Sequence, residues 1–572
     1  MIPAGLLLPM SASLAADVYW DNPETGLFSE ATNWDTGMVP TFEDNAFIAN
    51  GGTAQVVADE VVEVNILRIQ DGALEAVDAV ITTGLTSPGW QTPGDFQVGG
   101  IAGQMGSLTT SGETSITTGR VRIGGYNTSD EGDSPEMHGV VTMSGSSTLT
   151  TAPGGAYDLW LGNGNGSTAT LNMSGTSRIT VNSSMTSGRA GGSATVNLTE
   201  DSAFEVSTYG NIGEGGDANW TVSDNATFTL GGNLRLGGGD TQLTVKDSAI
   251  VVVGGEFQIG NGGGNVGIVN ILGGELTANS WMSIGREGGT GSVTVSGTGH
   301  LVKQGVGNLI VGDVSTGTMD VSGNATVETD SDIWVGFGNG GNGTLTLSGG
   351  STQTSGIVIV ARGNGSQGTL KLNGGTLTAS AIQKGDDTGV GTGTVEFNGG
   401  TLRAGANSVD LISGFESADV VIQSGGLIVD TNEFDVTINL DLQGVGGLVK
   451  VGDGILTLTG NNTYQGSTAV FGGTLSITTG FLADEANVIL ASNVTFDLNF
   501  AGVDTINGLN INGEWQPVGT YGGLDSDADF KLAIFTGNGV LSVTSPVPEP
   551  GTMALMAIGF GATLWTLRRR RN

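Results

Sequence analysis

The sequence predicts an all-β fold, a parallel β-helix (β-solenoid) with about 25 residues per coil, and three observations support it. Glycine supplies 102 of the 572 residues, well above its usual share, which requires a regular structure with many turns. A glycine recurs about every 25 residues, and a fixed period of this size is typical of solenoids. Between these glycines, Thr, Val, Leu and Ile occupy every second position in short runs, the pattern of short strands.

We call the glycine that follows the first strand of each coil the landmark glycine. The landmark glycines are Gly99, Gly124, Gly162, Gly188, Gly213, Gly237, Gly260, Gly285, Gly312 and Gly336. Such short strands cannot bury a face alone, so we expect successive coils to stack and pair their strands. After residue 395 the sequence texture changes, but the alternating runs continue.

Alternation around each landmark glycine predicts which side chains face the core. The residue before the glycine and the residue two places earlier are apolar in most coils and are expected inside: Val98, Ile123, Leu161, Ile212, Leu236, Ile259, Ile284, Val311 and Val335, with Phe96, Val121, Leu159, Gly210, Leu234, Phe257, Met282, Leu309 and Ile333. We call the residue between them the outer position, because its mixed character predicts that it faces outward: Gln97, Arg122, Trp160, Asn211, Arg235, Gln258, Ser283, Ile310 and Trp334. Ser187, before Gly188, breaks the apolar rule, and the sequence offers no explanation.

The organisation along the chain follows from where this pattern begins and ends. Residues 1–16 contain a short apolar run followed by small residues, typical of a signal peptide, here with a truncated beginning because the basic start is missing; the alternative is a non-structural terminus. Residues 17–60 lack the period and are predicted to cap the solenoid. Solenoid coils are predicted over 61–395 and 396–545, the latter ending in a second cap over 512–535.

The last residues, 546–572, have a different character. The segment 553–567 is uncharged but is too short as a helix to be a durable membrane anchor. The order of "VPEP", an apolar segment and "RRRR" resembles the PEP-CTERM sorting signal of Gram-negative bacteria. The resemblance implies recognition by an exosortase, an inner-membrane protease, and removal of the tail; the alternative is a simple tail anchor. The implied sorting residues are Pro548, Glu549, Pro550, Arg568, Arg569, Arg570 and Arg571.

The stretch "GGLVKVGDGILTLTGNNTYQGSTAVFGGTL", residues 446–475, closely resembles the autotransporter-associated beta strand repeat, and a looser resemblance covers most of 100–480. It implies a secreted, right-handed parallel β-helix. Together the two resemblances imply a protein exported through the inner membrane of a Gram-negative bacterium to the cell surface or the extracellular matrix, in association with extracellular polysaccharide.

Composition argues against several functional classes. The net charge of −37 disfavours nucleic acid and anionic membrane surfaces as partners, and the lack of cysteine excludes thiol catalysis. His138 and His300 are on different coils with no nucleophile or acid placed beside them by the sequence. We therefore predict a non-enzymatic protein with no catalytic residues, with a polysaccharide-degrading β-helix enzyme, a lyase or hydrolase, as the alternative.

Two features suggest a ligand. The acidic stretches Asp525–Asp529 and Asn127–His138 are incomplete calcium loops, so no cofactor is predicted and calcium is only a weak possibility. Trp160 and Trp334 stand at outer positions, where an exposed indole can stack on a sugar; the alternative is that each fills a gap against a neighbouring loop. Because the chain is so acidic, we expect either neutral-sugar binding or calcium-dependent binding of an anionic polymer.

Overall fold

The computed structural model describes residues 15–84, 94–125, 136–152, 158–385 and 391–545, and it confirms the fold class as a parallel β-solenoid of about 25 residues per coil. The described residues contain two 3-10 helices, Ala31–Asn33 and Ser417–Asp419, and no α-helix. Within these ranges no helix has the length and hydropathy needed to cross a membrane. The predicted signal peptide and sorting tail, including the segment 553–567, lie outside the described residues.

The chain divides into two compact units, residues 1–293 with 299–302 and residues 294–298 with 303–572. In the first unit, strands of successive coils pair in parallel and form three ladders. The first ladder contains Phe96–Val98, Val121–Ile123, Leu159–Asn163, Met185–Arg189, Gly210–Glu214, Leu234–Leu236, Phe257–Asn261 and Met282–Arg286. The second contains Met105–Ser111, His138–Met143, Thr168–Met173, Ser193–Leu198, Asp217–Val222, Asp240–Val245 and Val266–Ile271. The third contains Val61–Val64, Val80–Thr83, Ser115–Thr118, Thr148–Thr151, Arg178–Val181, Ala203–Val206, Thr227–Leu230, Ile250–Val253 and Glu275–Ala278. Strands Thr290–Val295 and His300–Lys303 include residues of both units.

The N-terminal region of the first unit joins this pairing through Asp17–Tyr19, Thr25–Leu27, Asn45–Val56 and Ile66–Val77. Its aromatic side chains form a closed cluster. Trp34 makes edge contacts with Trp20 and Phe28, at centroid distances of 5.1 and 4.8 Å, and its indole N–H donates to the carbonyl of Phe28. All three rings are buried, so large apolar surfaces are removed from water at this end of the unit.

The core columns predicted around the landmark glycines are confirmed in both units. Every apolar side chain predicted to face inward at these two positions is at most 1% exposed. In-register pairing explains the columns, since Phe96 pairs with Val121 and Val121 with Leu159. Each coil therefore stacks its apolar side chains directly on those of its neighbours.

The exception at Ser187 has a structural reason. Its side chain is buried, and its hydroxyl accepts a hydrogen bond of 3.1 Å from the indole N–H of Trp220. Trp220 also contacts Phe204 and Phe228, at centroid distances of 5.4 and 5.0 Å. A buried indole needs a partner for its N–H group, and a small hydroxyl residue both supplies that partner and leaves room for the ring.

The second unit continues the same three-ladder design through part of its length. Its first ladder contains Leu309–Asp313, Ile333–Phe337, Val358–Arg362, Ile382–Lys384 and Ile412–Ser413. The second contains Thr316–Val321, Asn342–Thr354, Gln367–Ala379, Thr392–Phe397, Val420–Ile422 and Gln443–Gly444, of which Asn342–Thr354 and Gln367–Ala379 extend into the third. The third contains Thr326–Thr329, Thr401–Ala404, Leu427–Asp430, Leu448–Val451, Thr468–Val470, Asn487–Leu490 and Gly508–Ile511.

The coil becomes shorter after the strand that begins at Leu427. In the longer coils Thr344 pairs with Thr369, whereas in the shorter ones Leu448 pairs with Thr468 and Thr468 with Val488. A separate parallel sheet runs beside these later strands: Val436–Ile438, Ile455–Leu458, Thr474–Ile477, Thr495–Leu498 and Phe535–Thr536. The coil thus shortens after Leu427, and not at residue 395, where the texture of the sequence changes.

Antiparallel pairing occurs where the C-terminal cap was predicted. Glu514–Trp515 turns back on Gly508–Ile511, and Gly519–Gly522 runs antiparallel to Val540–Val543. The second of these pairs belongs to a four-stranded sheet with Val503–Ile506 and Phe530–Lys531. Pairing of this kind covers strand edges that would otherwise offer free N–H and C=O groups to another chain.

A lysine is buried inside the shorter coils. Lys450 is 0% exposed, and its ammonium group donates to the carbonyls of Val451, Gly452 and Gly472 at 2.9–3.1 Å. Burial lowers the pKa of Lys450 from 10.5 to about 8, while Asp430, Asp453 and Asp435 act in the opposite direction. Because the folded pKa lies below the unfolded one, the folded chain loses this proton first as the pH rises.

The pKa of Lys450 predicts how stability depends on pH. Between pH 8 and 10.5 the unfolded chain binds more protons than the folded chain, so the free energy of unfolding rises with pH. We expect the contribution of Lys450 to raise the free energy of unfolding by about 2 kcal/mol between about pH 7 and pH 9.5. Urea unfolding of the full-length chain measures this change.

The variant Lys450→Met isolates this effect, because it leaves in place Lys303, whose pKa burial also lowers. The difference in unfolding free energy between wild type and variant is expected to change with pH over this range. A difference that stays constant would contradict the assignment. Measurements stop short of pH 10 because burial raises the pKa of Tyr464, whose contribution lowers stability above that pH.

Candidate functional site

The outer positions were predicted to face outward, and in most coils their side chains are nevertheless covered from solvent. Gln97, Arg122, Gln258, Ser283, Ile310 and Trp334 are all buried, Trp160 and Asn211 are half-buried, and only Arg235 is exposed. The backbone bends at the landmark glycines, which have positive φ values. In some coils the residue after the bend covers an outer position, as Phe337 covers Trp334, and we call the outer positions and the positions after the landmark glycines together the outer face.

Trp334 shows this arrangement in the second unit. Its ring lies 4.9 Å from that of Phe337, three residues later on the same strand, and 3.9 Å from the guanidinium carbon of Arg362 in the next coil. Trp334 is 7% exposed as a result. The alternative, that the indole fills a gap, describes this residue better than a bare stacking platform.

Trp160 is the centre of a second cluster, in the first unit. The guanidinium carbons of Arg189, Arg120 and Arg122 lie 4.9, 5.3 and 5.4 Å from its ring centroid, a separation at which cations attract an indole. Its indole stays half-buried, so part of the ring faces solvent. The cluster therefore presents an aromatic surface bordered by cationic hydrogen-bond donors.

The charges of this cluster are partly balanced. Arg122 forms a buried ion pair with Asp95 at 2.7 Å, and Arg189 lies 3.5 Å from Glu214. Asn163, on the strand of Trp160, is buried with its amide nitrogen lacking a hydrogen-bond partner among the described residues. The surface thus offers the indole face with the guanidinium of Arg189 and the carboxylate of Glu214, groups that can hydrogen-bond hydroxyl-rich ligands.

Arginine is concentrated on the outer face of the first unit. Of the seven arginines in that unit, only Arg120 and Arg178 lie elsewhere, although the whole chain is strongly acidic. The five arginines of the outer face are Arg68, which pairs in register with the outer-position residue Gln97, and Arg122, Arg189, Arg235 and Arg286. Three of them follow the outer-position rule, while Arg189 and Arg286 occupy the place after the landmark glycine, a regular position that the sequence reasoning missed.

A notch interrupts the outer face of the first unit. Gly238 takes the place after a landmark glycine, so one side chain is missing from the second row. The resulting cavity of about 210 Å³ is lined by Asn211, Glu214, Arg235, Gly237, Asn261 and Glu287. This notch is a polar opening beside the exposed Arg235.

A larger open groove, of about 390 Å³, lies in the second unit. Its wall includes Gln353, Thr378 and Arg403, which pair in register on three successive coils, and Phe434 from the loop that follows the next strand. No local sequence signal identified these residues, because their proximity depends on the pairing of one coil with the next.

Each of the two histidines lies against a polar side chain. His138 Nδ1 lies 2.8 Å from Thr168 Oγ1, and His300 Nδ1 lies 3.3 Å from Glu275 Oε2. His138 and Thr168 are register partners on neighbouring strands, which accounts for their contact without any chemical role.

Of the two acidic stretches that resemble incomplete calcium loops, the structure describes one in full and the other only in part. In the described part of the chain, no group of three or more His, Asp and Glu side chains is arranged to hold a metal ion. Asp529, in Asp525–Asp529, accepts a hydrogen bond of 2.8 Å from the hydroxyl of Thr520. Most of the other loop, Asn127–His138, and all the sorting residues from Pro548 to Arg571 lie outside the described residues.

Comparison with known proteins confirms both resemblances. The Passenger-associated-transport-repeat family matches residues 448–477, and the PEP-CTERM protein-sorting motif matches residues 546–571. A stretch of 120 residues, 21% of this chain, is 38% identical to the Adhesin BmaC autotransporter of Brucella suis biovar 1 (strain 1330). That match covers 3% of the adhesin's length. The chain is therefore a β-solenoid protein that carries a Passenger-associated-transport-repeat and a PEP-CTERM protein-sorting motif, which together support an exported protein of the cell surface.

Proposed function

We propose that this chain is a non-enzymatic protein of the cell surface or extracellular matrix that adheres to extracellular polysaccharide. The observation that carries the proposal is the Trp160 cluster, in which a half-buried indole is bordered by guanidinium groups. Indole faces cover the apolar side of sugar rings, and the planar polar groups around them hydrogen-bond the hydroxyls. The similarity to a protein named an adhesin supports an adhesive role.

The same proposal gives the tail a role in sorting. An exosortase recognises Pro548, Glu549 and Pro550, while the segment 553–567 holds the chain transiently in the inner membrane. Arg568 to Arg571 keep the end of the chain on the cytoplasmic side, as the positive-inside bias requires. The matching sorting motif at 546–571 supports this route.

The Trp160→Ala variant tests the adhesive role. Loss of the indole is expected to weaken polysaccharide binding on a glycan array by roughly 2- to 10-fold, because an aromatic or cation–π contact contributes about 0.5–1.5 kcal/mol. Trp334→Ala is expected to weaken binding less, because Trp334 is 7% exposed and is covered by Arg362. The half-buried Trp515, in the C-terminal hairpin, provides the matched control Trp515→Ala, which is expected to bind as the wild type does.

The same samples separate adhesion from catalysis and from calcium bridging. A reducing-sugar assay on each bound polysaccharide is expected to show no release of product, and clear release would favour the lyase or hydrolase instead. A parallel array with chelator shows whether a divalent cation takes part. Array binding that neither tryptophan substitution nor chelator changes would contradict the proposed mode of adhesion.

A further inference from the structure

The open groove of the second unit is built by a change in the path of the chain. Successive coils bring Gln353, Thr378 and Arg403 side by side on the outer side of the third ladder. After Asp430 the chain leaves the strand, with Asn432 in the left-handed region at φ 56°, and the loop brings Phe434 to the rim. The groove is thus an open trough about as large as a small ligand pocket.

Arg403 is held in place but retains donors for a ligand. Its Nε lies 3.4 Å from Asp430 Oδ2, and its Nη2 donates to Asn432 Oδ1 at 3.3 Å. A guanidinium has five N–H groups, so these two contacts leave others available. The Arg403 side chain is 44% exposed, whereas that of Asp430 is 16% exposed and does not line the groove.

The lining differs in charge from the rest of the chain. None of the described residues that line the groove is Asp or Glu, in a protein whose net charge is −37. Besides Arg403 and Asn432, the polar groups are the amide of Gln353 and hydroxyls such as those of Ser355, Thr378 and Ser380. The groove therefore combines a guanidinium, amide and hydroxyl groups that can hydrogen-bond sugar hydroxyls, and the aromatic ring of Phe434. This set suits a sugar that carries a carboxylate.

We propose that this groove binds a uronic acid residue of an extracellular polysaccharide. The carboxylate of the sugar pairs with the Arg403 guanidinium, whose planar donors match a carboxylate, and the ring of the sugar lies against Phe434. Direct pairing with Arg403 makes a divalent bridge unnecessary at this point, although the whole chain repels anionic polymers at long range. This inference rests on the proposed polysaccharide-binding function and specifies its ligand class.

Calorimetric titration of the full-length chain with trigalacturonic acid and with its carboxyl-reduced form tests the inference. Chelator is present throughout, and the salt is physiological so that long-range repulsion is screened. We expect the acidic trisaccharide to bind at least about 10-fold more tightly than the reduced one, because a charge-assisted hydrogen bond contributes about 1.5–3 kcal/mol. Arg403→Gln is expected to remove that preference, and Phe434→Ala to weaken both ligands.

Arg178→Gln is the matched control. Arg178 is also an exposed arginine paired with a carboxylate, that of Glu205, but it lies away from the groove, so its loss is expected to leave binding unchanged. Equal binding of the two trisaccharides, or an Arg403→Gln variant that binds as the wild type does, would overturn the inference while leaving array-detected polysaccharide binding intact. Failure of the wild type to bind either trisaccharide and any polysaccharide on the array would overturn both proposals.

Discussion

Replacing Trp220 by alanine is expected to lower the free energy of unfolding of the first unit by about 3–5 kcal/mol, the usual cost of removing a large buried aromatic side chain. Trp220 is 1% exposed and packs against the rings of Phe204 and Phe228, which also contact each other. Its removal leaves a cavity in a column whose members are fixed by strand pairing, so the neighbours cannot close around it. The hydroxyl of Ser187 also loses the N–H group whose hydrogen bond it accepts.

Urea unfolding of the full-length chain, followed by far-ultraviolet circular dichroism, measures this loss without relying on tryptophan fluorescence. Tyr209→Ala is the control, because Tyr209 is an aromatic residue of the same unit that is 52% exposed. Its removal is expected to cost at most about 0.5 kcal/mol. If the urea midpoint of Trp220→Ala is shifted no further than that of Tyr209→Ala, the packing of Trp220 against Phe204 and Phe228 does not stabilise the unit.

The substitution Gly260→Ala is expected to destabilise the first unit by roughly 2–5 kcal/mol. Two costs contribute to this value, the strain of a left-handed backbone at alanine and severe crowding of the added methyl group. Gly260 has φ +66°, and a Cβ atom added there would lie 2.0 Å from the carbonyl oxygen of Thr290 in the next coil. That oxygen belongs to the backbone of a paired strand, so it cannot move aside without breaking the ladder. The landmark position therefore requires glycine for space as well as for conformation.

The variant Gly264→Ala separates the cost of the left-handed backbone from the cost of crowding. Gly264 has φ +80°, but a Cβ atom added there meets nothing within 4 Å, so Gly264→Ala is expected to cost only about 1 kcal/mol. Both alanines are strained by the left-handed backbone, and the difference between their urea midpoints therefore reports the crowding against the next coil. Equal midpoints would mean that close approach of the coils contributes nothing at the landmark position.

The core could be predicted from the sequence because its rules are local. A landmark glycine marks the bend of the first strand, and alternation over the preceding residues then decides which side chains are buried, as Phe96 and Val98 illustrate. The same argument failed at Ser187 because the cause, its contact with Trp220, involves a strand of the second ladder in the next coil. A local pattern cannot reveal a hydrogen bond between distant strands.

The candidate site was only partly predictable. Alternation predicted that Trp160 and Trp334 face away from the core. It could not predict how far each is covered, because the covering groups, such as Arg189 and Arg362, come from the next coil. No local sequence pattern indicated that Arg403 and Phe434 line a groove, since the groove depends on a loop that leaves the ladder.

The sequence by itself determined the repeat, the strands, the core columns and the sorting motif, because each depends on residues close together in the chain. Only the tertiary structure decided how the outer face is covered, where the coil shortens and where Arg403 faces an open groove. These features arise from contacts between neighbouring coils, as between Leu448 and Thr468 or between Trp334 and Arg362, and the spacing of residues along one coil does not encode them.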